Sequence, residues 1–153
     1  MIGVNLTGYD STAQFARGTQ VMGTDGALFE YVNTLSAIGE GNVVGIDGSG
    51  NASNLTTTLA TTVKKAGAAQ VSIAVSSFGW IQRTGKMNFK VAASCVMDVL
   101  LFTTATPGVL DDATISGAVL PGLNLITSTV SAATLGVGMA ATPMFITWWA
   151  NPA

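Results

Sequence analysis

The stretch FGWIQRTGKMNFKV, residues 78–91, holds three of the chain's six basic side chains and two glycines. A Gly-Lys pair after an upstream glycine is the arrangement that cradles a nucleotide phosphate, with backbone N–H groups around the anion and the lysine beside it. The spacing fails that chemistry. Five residues separate Gly79 from Gly85 where four are required, and Met87 stands where a metal-binding hydroxyl belongs. The following residues alternate, Lys86, Asn88 and Lys90 against Met87, Phe89 and Val91. That period predicts a strand, not the helix N-terminus that a phosphate needs. Arg83, Lys86 and Lys90 are therefore read as the solvent or partner face of a half-buried hairpin.

Other chemistry is sparse. The chain has no histidine, which removes Ser-His-Asp and Cys-His nucleophiles and histidine-containing zinc sites. Asp111-Asp112 is the one adjacent carboxylate pair. Neighbours on a strand point to opposite faces and do not share a proton, so a turn-forming role is expected. DGSGN, residues 47–51, hints at a calcium loop but lacks the spaced acids and the closing glutamate. Cys95, the single cysteine, has small apolar flanks and reads as a buried, inert thiol. No catalytic, metal-binding or cofactor-binding residue is assigned, and no enzyme is expected.

Composition sharpens the contrast. Only 9% of the 153 residues are charged, against about 25% in a typical soluble domain. The apolar share, 48%, is ordinary. The surface is thus built from Thr, Ser, Asn and Gly. Mixed charge normally keeps soluble monomers apart, and charge is depleted in interface cores. A surface covered by partner proteins is one explanation; secretion with glycosylation is the other. The first fifteen residues have no basic and apolar leader pattern, so no secretory signal is expected. A net charge of −2 and a pI near 4.7 argue against nucleic acid. Residues 113–153 carry no charge, but polar residues and prolines break every window of about 20 residues, so no membrane span is expected.

The elements that must position these residues are mostly strands. Strands are predicted after the Asp25-Gly26 turn, at Val43 to Ile46, through Val71, Ile73 and Val75, across the 78–91 stretch, at Val99 to Thr103, near Ile115 to Leu120, and at Phe145 to Trp149. Leu55, Leu59 and Val63 recur every four residues between Asn54 and Gly67, which predicts one short helix. Residues 1–24 show no sustained period and read as an extended N-terminal arm.

Three stretches, GTDGALFEYV, AQVSIAVSSFGWIQRTG and KVAASC…LLFTTATPGVLDD, resemble the small decoration, or cement, proteins on the capsids of tailed bacteriophages. The resemblance covers roughly residues 22–125. It implies a β-rich fold, an oligomer on the shell, no catalysis and no cofactor. The expectation is a mainly β, compact sandwich- or barrel-like domain of β-tulip type, with the short helix and the arm. Residues 25–153 would form the capsid-binding domain. The implied partners are the major capsid protein and further copies of the chain, a trimer before a dimer, without nucleic acid or membrane. Assembly would occur in the host cytoplasm, on the outer surface of the virion. Expected contact residues are Tyr9 and Phe15 in the arm, Arg83 and Lys86 on the hairpin, and Trp148 and Trp149 in the tail. The alternative is a β-sandwich module that recognises carbohydrate or a host surface through exposed aromatic rings.

Overall fold

The computed structural model describes residues 4–113, 118–128 and 134–148. The alternating run from the Asp25-Gly26 turn forms β3 (Leu28–Thr34), and Val43–Ile46 forms β4 as predicted. With β5 (Asn51–Asn54), β6 (Lys65–Ala68) and β7 (Phe78–Gln82) they make a five-stranded partial barrel. β3 pairs with β7, β7 with β6, β6 with β4, β4 with β5, and β5 returns to β3 in the parallel sense. Val32, Val44, Ile46, Ala52 and Ile81 fill the interior, with Ile38, Ala69 and Ile73 from adjoining loops.

Closure is thin at one seam. β6 and β7 pair only at Ala68 and Gln82. Gly67 sits where a Cβ would collide with Ile81 and come within 2.8 Å of the Gln82 carbonyl oxygen. Only glycine lets the strands approach this closely.

The second sheet runs β12 (Leu123–Leu125), β13 (Thr134–Ala140), β8 (Gly85–Val91), β10 (Val109–Asp111), β9 (Phe102–Thr103), β11 (Ala118–Val119), β14 (Thr147–Trp148). Met87, Phe89 and Val91 point inward from β8, while Lys86 and Asn88 point out, as the alternation predicts. The core between the sheet and the barrel joins these to Val43, Leu55, Val63, Leu110, Leu123 and Leu125.

Several expectations are corrected. Residues 78–91 are not a hairpin: β7 pairs with β1, β3 and β6, whereas β8 pairs with β10 and β13, so the Thr84-Gly85 turn hands the chain from one sheet to the other. The helix shrinks to a single 3₁₀ turn, Leu59–Thr61. Thr61 and Thr62 hydroxyls donate to the carbonyls three residues back, and β6 begins where the last helical turn was expected. Leu55 and Val63 are buried all the same. Residues 71–75 form a loop with one isolated bridge, Ile38 to Ile73. Residues 4–22, expected as an extended arm, lie along the first sheet. β1 (Tyr9–Asp10) pairs with β7 and β2 (Gln20–Met22) with β3, and Val4, Leu6 and Val21 cover Phe29, Tyr31 and Trp80.

Arg83 is the largest departure. It is 5% exposed, not on an outer face. Its Nη1 donates to Glu30 at 2.8 Å, its Nε to the Ala66 carbonyl at 3.0 Å and its Nη2 to the Met144 carbonyl at 2.7 Å. Lys65 Nζ meets the other oxygen of Glu30. Removing one partner from a buried ion pair strands the other charge. Arg83→Ala is expected to lower the unfolding free energy by about 3–5 kcal/mol, and Lys86→Ala by about 0.5 kcal/mol or less. Urea denaturation of the two variants checks this; equal midpoints would refute a structural role for Arg83.

Candidate interaction surface

The six expected contact residues do not share one surface. Tyr9 is 51% exposed on β1, beside a shallow hollow lined by Ile38 and Ile73. Phe15 is half committed: its ring lies 5.3 Å from both Tyr31 and Trp80. Lys86 projects from β8, opposite Met139 on β13. Arg83 is interior. Trp148 pairs through its backbone with Ala118, and Trp149 lies outside the described residues.

The structure instead displays apolar side chains where no contact was expected. Val96, Met97, Val99 and Leu100 stand exposed on the loop between β8 and β9, with Ile126 nearby, each 36–50% accessible. The strand predicted from Val99 to Thr103 is reduced to β9, so this run has no ladder to bury it. The loop is nevertheless fixed. Cys95 is fully buried at its root and Leu101 at its end. The Val96 N–H donates to Asp112 Oδ2 at 2.8 Å, the Met97 N–H to Ser128 Oγ at 3.3 Å, and the Asp98 N–H to the Leu125 carbonyl at 3.0 Å. Asp98 and Ser94 adopt positive φ, 60° and 62°, and these left-handed residues turn the chain. In the sequence Val96-Met97 and Val99-Leu100 around a single aspartate have the spacing of a helical turn, so nothing local marks them as an exposed loop.

Leu135 and Met139, 44% and 46% exposed, extend an apolar display on the outer face of β13. Lys86 and Lys90 oppose them across the β8 ladder. This second patch is cationic and apolar together.

The acidic groups are spent on local structure. Asp111 Oδ1 accepts from the Cys95 thiol and from the Ala113 N–H, and Asp112 holds Val96. The three donor atoms lie within 4.8 Å of one another. Burial pushes the Cys95 thiol up, and the nearby Asp112 and Asp111 charges add to it, to about 11. A thiol held protonated is neither a nucleophile nor a ready metal ligand at neutral pH. In the DGSGN turn, Asp47 accepts from the Ser49 and Asn51 N–H groups and from the Asn51 side chain. Desolvation pushes the Asp47 carboxyl up, but those hydrogen bonds and the Arg17 charge outweigh it and hold it below 3.8. The carboxylate closes its own turn in place of a cation loop.

No helix among the described residues is long and apolar enough to cross a membrane. A scan against protein-family models matches none, and a search of curated proteins finds no match.

The Cys95 shift sets a pH window. The native state favours the neutral thiol, so its contribution to stability is complete below about 9 and is lost as pH rises through about 11. At pH 8 the folded chain is expected to react with an aromatic disulfide reagent about 100-fold more slowly than an unfolded one, in proportion to its thiolate fraction. Absorbance of the released thiolate measures it; equal rates would show that the thiol is open.

Proposed function

We propose that this protein is a structural component of a bacteriophage virion that binds the outer surface of the assembled capsid and cements neighbouring capsomers, without catalysis or cofactor. The observation that carries the reading is the pinned apolar loop. Val96, Met97, Val99 and Leu100 are held out by backbone hydrogen bonds on a chain whose charge content is 9%. A contiguous exposed apolar patch on a fixed frame suits a protein surface, because little ordering entropy remains to be lost on docking. The resemblance to capsid decoration proteins supports a capsid as that surface.

The mechanism is mass action. A subunit that binds only the expanded shell lowers the free energy of that state by an amount set by its concentration and affinity. Repeated by symmetry, contacts of standard size, about 1,600 Å² each, accumulate over a shell. Lys86 with Leu135 and Met139 offers a second contact, so one subunit has two surfaces with which to bridge neighbours.

Removing residues 1–24 is a poor test of binding, since residues 4–22 cover Tyr31 and Trp80 and their loss exposes core. Surface substitutions are clean. The wild type should co-sediment with expanded capsids and raise their melting temperature. Met97→Asp with Leu100→Asp should weaken binding about 100-fold, from the loss of about 1.5 kcal/mol for each buried apolar side chain. Its own thermal midpoint should stay unchanged. Wild-type protein left in the supernatant at every concentration sinks the proposal, and capture on a glycan array would favour the carbohydrate-recognition alternative.

A further inference from the structure

We propose that the protein also self-associates through β2, which pairs antiparallel with β2 of a second copy across a twofold axis centred on Val21. β2 ends one side of the first sheet and pairs only with β3. The Tyr31 N–H donates to the Thr19 carbonyl at 2.8 Å, and the Gly23 N–H to the Ala27 carbonyl at 2.8 Å. An antiparallel ladder alternates, so Val21 also turns its backbone towards β3, and Gln20 and Met22 turn their N–H and C=O groups outward. No backbone among the described residues meets them.

Exposed strand edges are normally guarded by charge, proline, a bulge or a covering loop. Two other edges follow that rule: β1 carries Asp10, and the Asp98 N–H covers β12 by donating to the Leu125 carbonyl. Residues 18–24, GTQVMGT, have neither charge nor proline, and their one bulge, where Gly18 and Thr19 both bond to Tyr31, lies before Gln20–Met22. In solution water meets these outward N–H and C=O groups, and a second extended backbone can replace it with a regular ladder.

The occupant is a second copy because the edge is complementary to itself: in an antiparallel pair with β2 of another copy the outward groups of Gln20 and Met22 fall in register. Both side chains stand exposed on the face of β2 opposite Val21, Met22 at 70%, so neither blocks the approach. Centred on Val21, the pairing sets Gln20 opposite the partner's Met22, and each exchanges both backbone hydrogen bonds. No like charges face one another, so the repulsion that separates edge strands is missing. The result is a twofold assembly in place of the trimer expected from sequence, and it stands whether or not the chain binds a capsid.

Sedimentation velocity and equilibrium on the full chain test it. The wild type is expected to move with concentration between a 15.5 kDa monomer and a species of twice that mass. Met22→Pro and Gln20→Pro each remove an outward N–H and leave the β2–β3 ladder intact, since an edge strand tolerates proline there. Each should keep the wild-type circular dichroism and lose dimer affinity roughly tenfold or more, the value of the lost hydrogen bonds. Met22→Lys keeps the backbone donor and should lose the dimer equally, which secures the test if a proline variant fails to fold. A monomer at every concentration, a threefold assembly, or a dimer indifferent to Met22→Lys would overturn the proposal.

Discussion

A carboxylate with no access to water must be answered by protein donors, and Glu30 is such a group. It is 0% exposed on β3, and each oxygen has its own cation, Lys65 on one and Arg83 on the other. The cost of burying these charges is offset because all three guanidinium nitrogens donate a hydrogen bond. Through it Arg83 reaches the β6 carbonyl of Ala66 and the Met144 carbonyl, and its own backbone joins Leu28 and Met144. Four chain segments meet at one side chain. They meet where the barrel ladder is weakest, since β6 and β7 share a single residue pair. The side chain does there what a longer ladder would do elsewhere, and the 144–146 segment that it holds bonds to β6 and brings in Met144 and Ile146 from the second sheet's core.

The same region explains why residues 4–22 lie along the first sheet. β7 is buried on both faces: Ile81 points into the barrel, and Trp80 points into an aromatic layer with Tyr31, Phe78 and Phe29. A strand with two apolar faces needs two covers. Residues 4–22 are the second cover, tied down by β1 and β2, by the Gln14 N–H on the Tyr31 hydroxyl and by Arg17 on Asn51. Five of the eleven aromatic rings, Phe15, Phe29, Tyr31, Phe78 and Trp80, are committed to that layer. The exposed apolar surface lies elsewhere, on the 96–100 loop and the outer face of β13.

Legibility in the sequence followed how local the cause was. Val43–Ile46 and the β8 alternation were readable because a strand with one wet face advertises its period. The β7 alternation was equally regular, yet it could not say where Arg83 points. It placed Arg83 on the side of Ile81 and opposite Trp80, and both sides are core. Only the distant Glu30 and the Met144 carbonyl make the inward position tolerable, and nothing local marks them. The period of four at Leu55, Leu59 and Val63 correctly marked residues for burial but gave the wrong backbone, because a strand end, a 3₁₀ turn and a strand lead-in present the same residues inward. The 96–100 loop was not legible, since its hydrogen bonds run to Asp112, Leu125 and Ser128, far along the chain.

Charge allocation links the fold to the surface. The chain is poor in charge, and the structure then draws much of that charge inward or into turns. Glu30, Lys65 and Arg83 close the barrel; Asp25 and Asp47 shape turns; Asp111 and Asp112 anchor a loop; Arg17 and Lys90 bond to Asn51 and Asn42. Among the described residues, Asp10, Glu40, Lys64, Lys86 and Asp98 carry the charges with no side-chain bond. Burial of the Glu30–Arg83 pair leaves the outer surface with still fewer charges than composition alone gives. Colloidal repulsion, which normally keeps a folded chain from its neighbours, is weak on such a surface, and its apolar loop and unguarded β2 edge meet little electrostatic resistance to contact. A free-swimming monomer gains nothing from that allocation. A protein held against other chains loses nothing by it, because charges at an interface core would have to be desolvated on docking.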